Sequence, residues 1–80
     1  MNTYAGMTNN LTIDDVLTNF ELFLMKQFGA NCIDVTNSLI HSKVDVLLND
    51  DLNYWSFCPV WTLYDSAKQQ LINEGKLSWN

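Results

Sequence analysis

There is no arginine in this chain, and only four lysines stand against nine acidic residues, for a net charge of −5. That shortage excludes more than any motif could. Arginine is the usual residue for bidentate capture of phosphate, carboxylate and guanine edges. Affinity for duplex DNA or RNA depends on neutralising phosphates with lysine and arginine, so direct nucleic-acid binding is not expected. A basic protein surface is the better electrostatic partner, although moderate negative charge also simply keeps small proteins soluble.

Reactive groups are equally sparse. There are two cysteines, Cys32 and Cys58, and a single histidine, His41. None of them stands in a C-x-x-C or H-x-x-x-H spacing, which argues against structural zinc. Cys58 precedes Pro59 at a helix start, where the dipole favours a thiolate, and His41 could serve it as a base. No third orienting residue is evident, and aromatic neighbours would desolvate the thiolate, so a small buried hydrophobe is the better reading. Asn49-x-Asp51-x-Asn53 opens like a calcium loop but has Tyr54 where glycine belongs and Val60 where glutamate belongs. Adjacent Asp50 and Asp51 diverge in most backbones and make a poor catalytic pair. No phosphate-binding loop, dinucleotide fingerprint or serine elbow occurs. The expectation is a protein that is not an enzyme, with no cofactor, no metal and no catalytic residue.

Long apolar runs are missing too. No stretch approaches the ~20 residues of a membrane span, and the opening MNTYAGMTNN has neither a basic region nor an apolar core. A cytoplasmic protein with reduced thiols is expected, lying in the host cell's cytoplasm if phage-encoded.

What is present is apolar residue in quantity, 48% of an 80-residue chain. One domain over 1–80 follows, with residues 1–10 as a polar arm that packs, if at all, through Tyr4 and Met7. The strongest local signal predicts a helix over 13–28. Thr12 can cap it with Asp15 in the capping-box position, and Leu11 and Val16 stand at staple positions. Asp14 and Asp15 suit its positive end, and Gly29 suits its stop. Ile13, Val16, Leu17, Phe20, Leu24 and Phe28 fall within about a 120° stripe.

Pro59 opens a second clear helix, 59–74, whose Val60, Leu63, Tyr64, Ala67 and Leu71 share one face and whose end is marked by Gly75. The middle, 37–49, is ambiguous. Ile40, Val44, Leu47 and Leu48 fit a helical face, with Thr36 or Asn37 as cap. The same stretch also alternates enough to pair as a strand in a hairpin within 31–48. The reading preferred is all-α: a small bundle of three main helices joined by an aromatic connector, with an α+β hairpin form as the alternative.

The connector is the best partner-site candidate. Residues 54–64 hold Tyr54, Trp55, Phe57, Trp61 and Tyr64, half of the chain's aromatics. Tyrosine and tryptophan dominate binding hot spots because each offers a large rigid contact with a polar handle. Phe57 and Tyr64 are expected in the core. Trp55, in the connector, and Trp61, beside Ile72 and off the main stripe, are the candidate anchors with Tyr54. Leu22 and Met25, on the polar side of the first helix, form a second candidate surface. Asp45, Asp50 and Asp51 would supply negative charge for steering. The function expected is that of a small acidic interaction protein docking on and inhibiting or modulating a macromolecular partner. By analogy of size and composition, this resembles the inhibitors that phages and mobile elements direct at nucleic-acid-handling complexes. The alternative is an assembly subunit that homodimerises through Leu22, Met25 or the Trp61–Ile72 face.

Overall fold

The computed structural model describes residues 12–78, which form four α-helices and one 3-10 turn. Helix α1 spans Ile13–Phe28, α2 Val35–Asp50, α3 Leu52–Phe57 and α4 Val60–Asn73, with the 3-10 turn over Gly29–Ile33 between the first two. The chain is all-α, and among the described residues there is no strand; the hairpin alternative is not adopted. The proposed arm over 1–10 and the staple residue Leu11 lie outside the described residues.

Helix α1 starts where its chemistry dictates. The Thr12 hydroxyl accepts the Asp15 backbone N–H at 3.1 Å, and Asp15 Oδ2 accepts the Thr12 N–H at 3.0 Å. This reciprocal box satisfies two donors that a helix start leaves open. At the other end Gly29 adopts φ +57° and donates its N–H to the Met25 carbonyl.

The middle helix departs from the expected 37–49. It begins at Val35, and its cap is Asp34, not Thr36 or Asn37. Asp34 sits in extended backbone, and its Oδ1 accepts the Asn37 N–H at 2.8 Å. A carboxylate two residues earlier thus outcompetes the later candidates, and β-branched Val35 and Thr36 cost little in a first turn with no preceding turn to crowd them. The apparent alternation of Val44-Asp45-Val46 resolves in helical terms. Ile40, Val44, Leu47 and Leu48 are buried together while Val46 is 57% exposed.

The aromatic connector is itself a helix. Asp51 leaves helical geometry at φ −153°, ψ 79° and ends α2, and its side chain then caps α3 by accepting the Tyr54 N–H at 3.1 Å. Leu52 and Trp55, three residues apart, turn one face of α3 onto the core. Phe57 lies about 200° around from Trp55 and points outward, 70% exposed. The expectation that Phe57 belongs to the core is corrected on that ground.

In α4, Pro59 is the cap residue and not the first helical one, with φ −56° and ψ 149°. The helix ends in a Schellman motif: Lys76 donates its N–H to the Leu71 carbonyl at 2.9 Å and Gly75 to that of Ile72 at 3.0 Å. Gly75 at φ +79° supplies the left-handed residue this stop needs.

The core holds Phe20 and Leu24 from α1, Ile40, Val44, Leu47 and Leu48 from α2, and Leu63, Ala67 and Leu71 from α4. Helix α2 is central, packing on each of the others. Asn37 meets Tyr64, and further along both helices Lys43 meets Glu74. Helix α4 therefore runs in the same sense as α2, and α3 is the short return leg between them. That return leaves α3 lying on α2 with one face outward.

Candidate functional site

Among the described residues two apolar surfaces stand open on this frame, and a buried polar network ties the 3-10 turn, α2 and α4 together. The first surface is the outer side of the α3–α4 corner. Tyr54 and Phe57, three residues apart, share a face of α3, and their exposures are 59% and 70%. Trp61, in the first turn of α4, is 61% exposed. Trp55 behaves differently. It is half-buried against the core, with its ring 4.8 Å from that of Tyr54 in an edge-to-face arrangement. Phe57 thus takes the place in this surface that the sequence pattern suggested for Trp55. A helix of only six residues, Leu52–Phe57, is too short for its apolar periodicity to show in the sequence.

Charge around this corner has one sign in the local sequence: residues 44–67 carry Asp45, Asp50, Asp51 and Asp65 and no lysine. Asp45 is half-buried and accepts from the Asn49 side-chain amide at 3.1 Å, whereas Asp50 is exposed. Asp51 is committed to capping α3. Two of the four lysines gather elsewhere, around Glu74. Its Oε2 accepts from Lys43 Nζ at 2.6 Å, and Lys76 Nζ lies 3.7 Å from Oε1. These contacts, that to Lys43 foremost, hold the Glu74 carboxyl below its ordinary pKa of 4.5. Ile72 lies half-buried near this end of α4, in a shallow polar recess with Asp65, Lys68 and Gln69, and so apart from Tyr54.

The second surface is a groove of about 390 Å³ between α1 and α2, closed at one end by the 3-10 turn. Leu24, Met25 and Ile33 give it apolar walls, and Asn37, Ser38 and Ser42 line it with polar groups. Glu21 Oε2 and His41 Nε2 stand 3.0 Å apart across it. Met25 is 52% exposed and Ile33 81% exposed at its rim. Leu22, 55% exposed, lies about 60° further around α1 than Met25, on the outer flank. Cys32 is half-buried in the same groove, so the thiol that shares a cavity with His41 is Cys32 and not Cys58. The Cys58 thiol instead points at the Tyr54 carbonyl, 3.5 Å away.

Asn37, which lines this groove, is only 2% exposed. Its side-chain amide donates to the Asn31 carbonyl at 3.0 Å, and its Oδ1 accepts from the Tyr64 hydroxyl at 3.1 Å. The Tyr64 ring stacks on Phe28 at 5.6 Å and packs against Phe20 and Phe23. Burial, then the charges of Asp34 and Asp65, push its phenol above the ordinary value of 10. Tyr64 is accordingly half-buried, and Phe28, at the end of the predicted stripe, is an exposed lid on it. Nothing in the one-dimensional pattern marks Asn37 as a core residue, because its partners come from positions 31 and 64.

Among the described residues no group of three His, Cys, Asp or Glu side chains could hold a metal ion. No described helix is long and apolar enough to cross a membrane. Comparison of the chain with protein-family models, with curated proteins and with solved structures finds no match.

Proposed function

We propose that this chain is a small acidic docking protein, without catalysis of its own, that binds and thereby inhibits or modulates a macromolecular partner with a basic protein surface. The observation that carries the reading is the exposure of Tyr54, Phe57 and Trp61, each more than half open to solvent, within one α3–α4 corner. A large aromatic side chain left in water forgoes roughly 1.5–3 kcal/mol of burial energy, which a partner recovers on contact. Exposed aromatic anchors on a segment, residues 44–67, that carries four aspartates and no lysine fit interface hot spots steered by charge. A basic face on a nucleic-acid-handling host complex fits this description, the chain then acting as an inhibitor carried by a phage or other mobile element, in the cytoplasm of the host cell, a reading supported by analogy of size and composition. A homodimer through the same corner would bring two chains of net charge −5 together, which Coulomb repulsion opposes.

The test compares the native chain with a Phe57→Ala/Trp61→Ala double variant in affinity capture from host lysate with quantitative mass spectrometry. The variant should keep its helicity and melt within about 1 kcal/mol of the native chain, since both side chains are solvent-facing. It should lose the captured partner by about 2 kcal/mol or more in binding free energy. Association with that partner should slow as salt rises. Full retention of the partner by the variant, or its failure to fold, refutes the assignment of this corner.

A further inference from the structure

The α1–α2 groove has no part in the aromatic corner, and its chemistry is different. We propose that it is a second docking site, for a basic amphipathic segment of a protein, which seats an aliphatic side chain between Leu24, Met25 and Ile33 and sets a lysine or arginine against Glu21. Three observations carry this. First, the groove's volume of about 390 Å³ would suit a small ligand, but its apolar surface does not stop at the rim. Ile33 lines the mouth yet is 81% exposed. An apolar rim this open suits a chain lying across it better than a compact molecule dropped in.

Second, among the described residues no lysine lines the groove, and its one carboxylate is Glu21, with His41 beside it. Lys26 follows Met25 but lies about 100° further around α1, away from the groove. Lys43 is turned to Glu74 at the opposite side of α2. Third, Glu21 meets His41 through Oε2, and among the described residues its Oε1 makes no hydrogen bond, so a carboxylate oxygen is available beside the apolar walls. A second copy of the chain is a poor occupant, because it brings a further net charge of −5 and no arginine. A basic segment supplies both complements at once, an apolar anchor and a cation.

The probe is a synthetic helical peptide of leucine and lysine, about 15 residues long so that a helix is sustained, titrated into the full ¹⁵N-labelled chain. A peptide with glutamate in place of every lysine is the control. Backbone amide shifts should centre on Met25, Ile33, Ser38 and His41, with Tyr54, Phe57 and Trp61 unmoved. In a Cys58→Ser background, peptide binding should protect Cys32 from a thiol reagent. Ile33→Ser should weaken the lysine peptide at least tenfold, and Glu21→Gln should weaken it about two- to fivefold, the range of an exposed ion pair. Ile33→Ser alters a solvent-facing position without changing charge, and an unchanged melting curve would confirm that it leaves the core intact. Should it fail to fold, Met25→Gln provides the same reading from the other wall. Shifts centred on Trp61, equal binding of the glutamate peptide, or no saturable binding would each overturn the proposal. So would concentration-dependent self-association abolished by Ile33→Ser, which would make a second copy the occupant. Because Trp61 is read in the same titration, failure here leaves the aromatic-corner reading to stand or fall by its own variant.

Discussion

Removing one oxygen atom from Tyr64 probes the whole arrangement of α2 against α4. In Tyr64→Phe the ring keeps its packing on Phe20, Phe23 and Phe28, but the hydroxyl that donates to Asn37 Oδ1 at 3.1 Å is gone. A hydrogen bond contributes about 0.5–1.5 kcal/mol net, and stranding a buried acceptor costs about 1–3 kcal/mol. Asn37 is 2% exposed, so its oxygen is stranded unless water enters where the hydroxyl stood. Tyr64 is only half-buried, which lets some water in and places the loss at about 1–2 kcal/mol. Unfolding entropy of about 2.1 cal/mol/K per residue over 80 residues converts that to a fall in Tm of roughly 6–12 °C. Urea denaturation and calorimetry at pH 7 measure it directly. A second signature lies in alkali. The Tyr64 phenol is pushed above 10 in the fold, so the fold favours its neutral form. That contribution is complete below pH 10 and is lost as pH rises through the elevated folded value. Tyr64→Phe should therefore lose less stability than the native chain across this alkaline window. A substitution that is neutral at pH 7, together with an unchanged alkaline slope, would show that the Tyr64–Asn37 contact does not hold these helices.

Two further substitutions test neighbouring claims. Asp34→Ala should cost about 1 kcal/mol through loss of the α2 cap, while Thr36→Ala should stay within about 0.5 kcal/mol; comparable losses in urea melts would mean that the cap is misassigned. Glu74→Gln concerns acid: Lys43 and Lys76 hold the native carboxyl below 4.5, so its contribution is present above that pH and is lost as pH falls through the lowered folded value. The glutamine variant should accordingly lose less stability on acidification than the native chain, and parallel stability curves for the two would refute the pairing.

Local chemistry was sufficient for much of this molecule. The extent of α1 was legible from Thr12, Asp15 and Gly29, because caps act within three or four residues of the backbone groups they satisfy. The stop of α4 at Gly75 was legible for the same reason, and helical periodicity marked the buried face of Leu63, Ala67 and Leu71 and set Leu22 and Met25 off the core stripe, whereas it did not decide between Trp55 and Trp61 as the exposed indole. What only the tertiary structure decided is everything that depends on partners distant in the chain. The choice of helix over hairpin for the middle came from packing, since Ile40, Val44, Leu47 and Leu48 are buried against α1 and α4 at once. Asn37 became a core residue because Asn31 and Tyr64 satisfy it, and Phe57 a surface residue because Leu52 and Trp55 took the inner face of α3. The groove that joins Glu21, Cys32 and His41 exists only because α1 folds back on α2. Periodicity reports which face of a helix is apolar; it does not report what that face, or the opposite one, will meet.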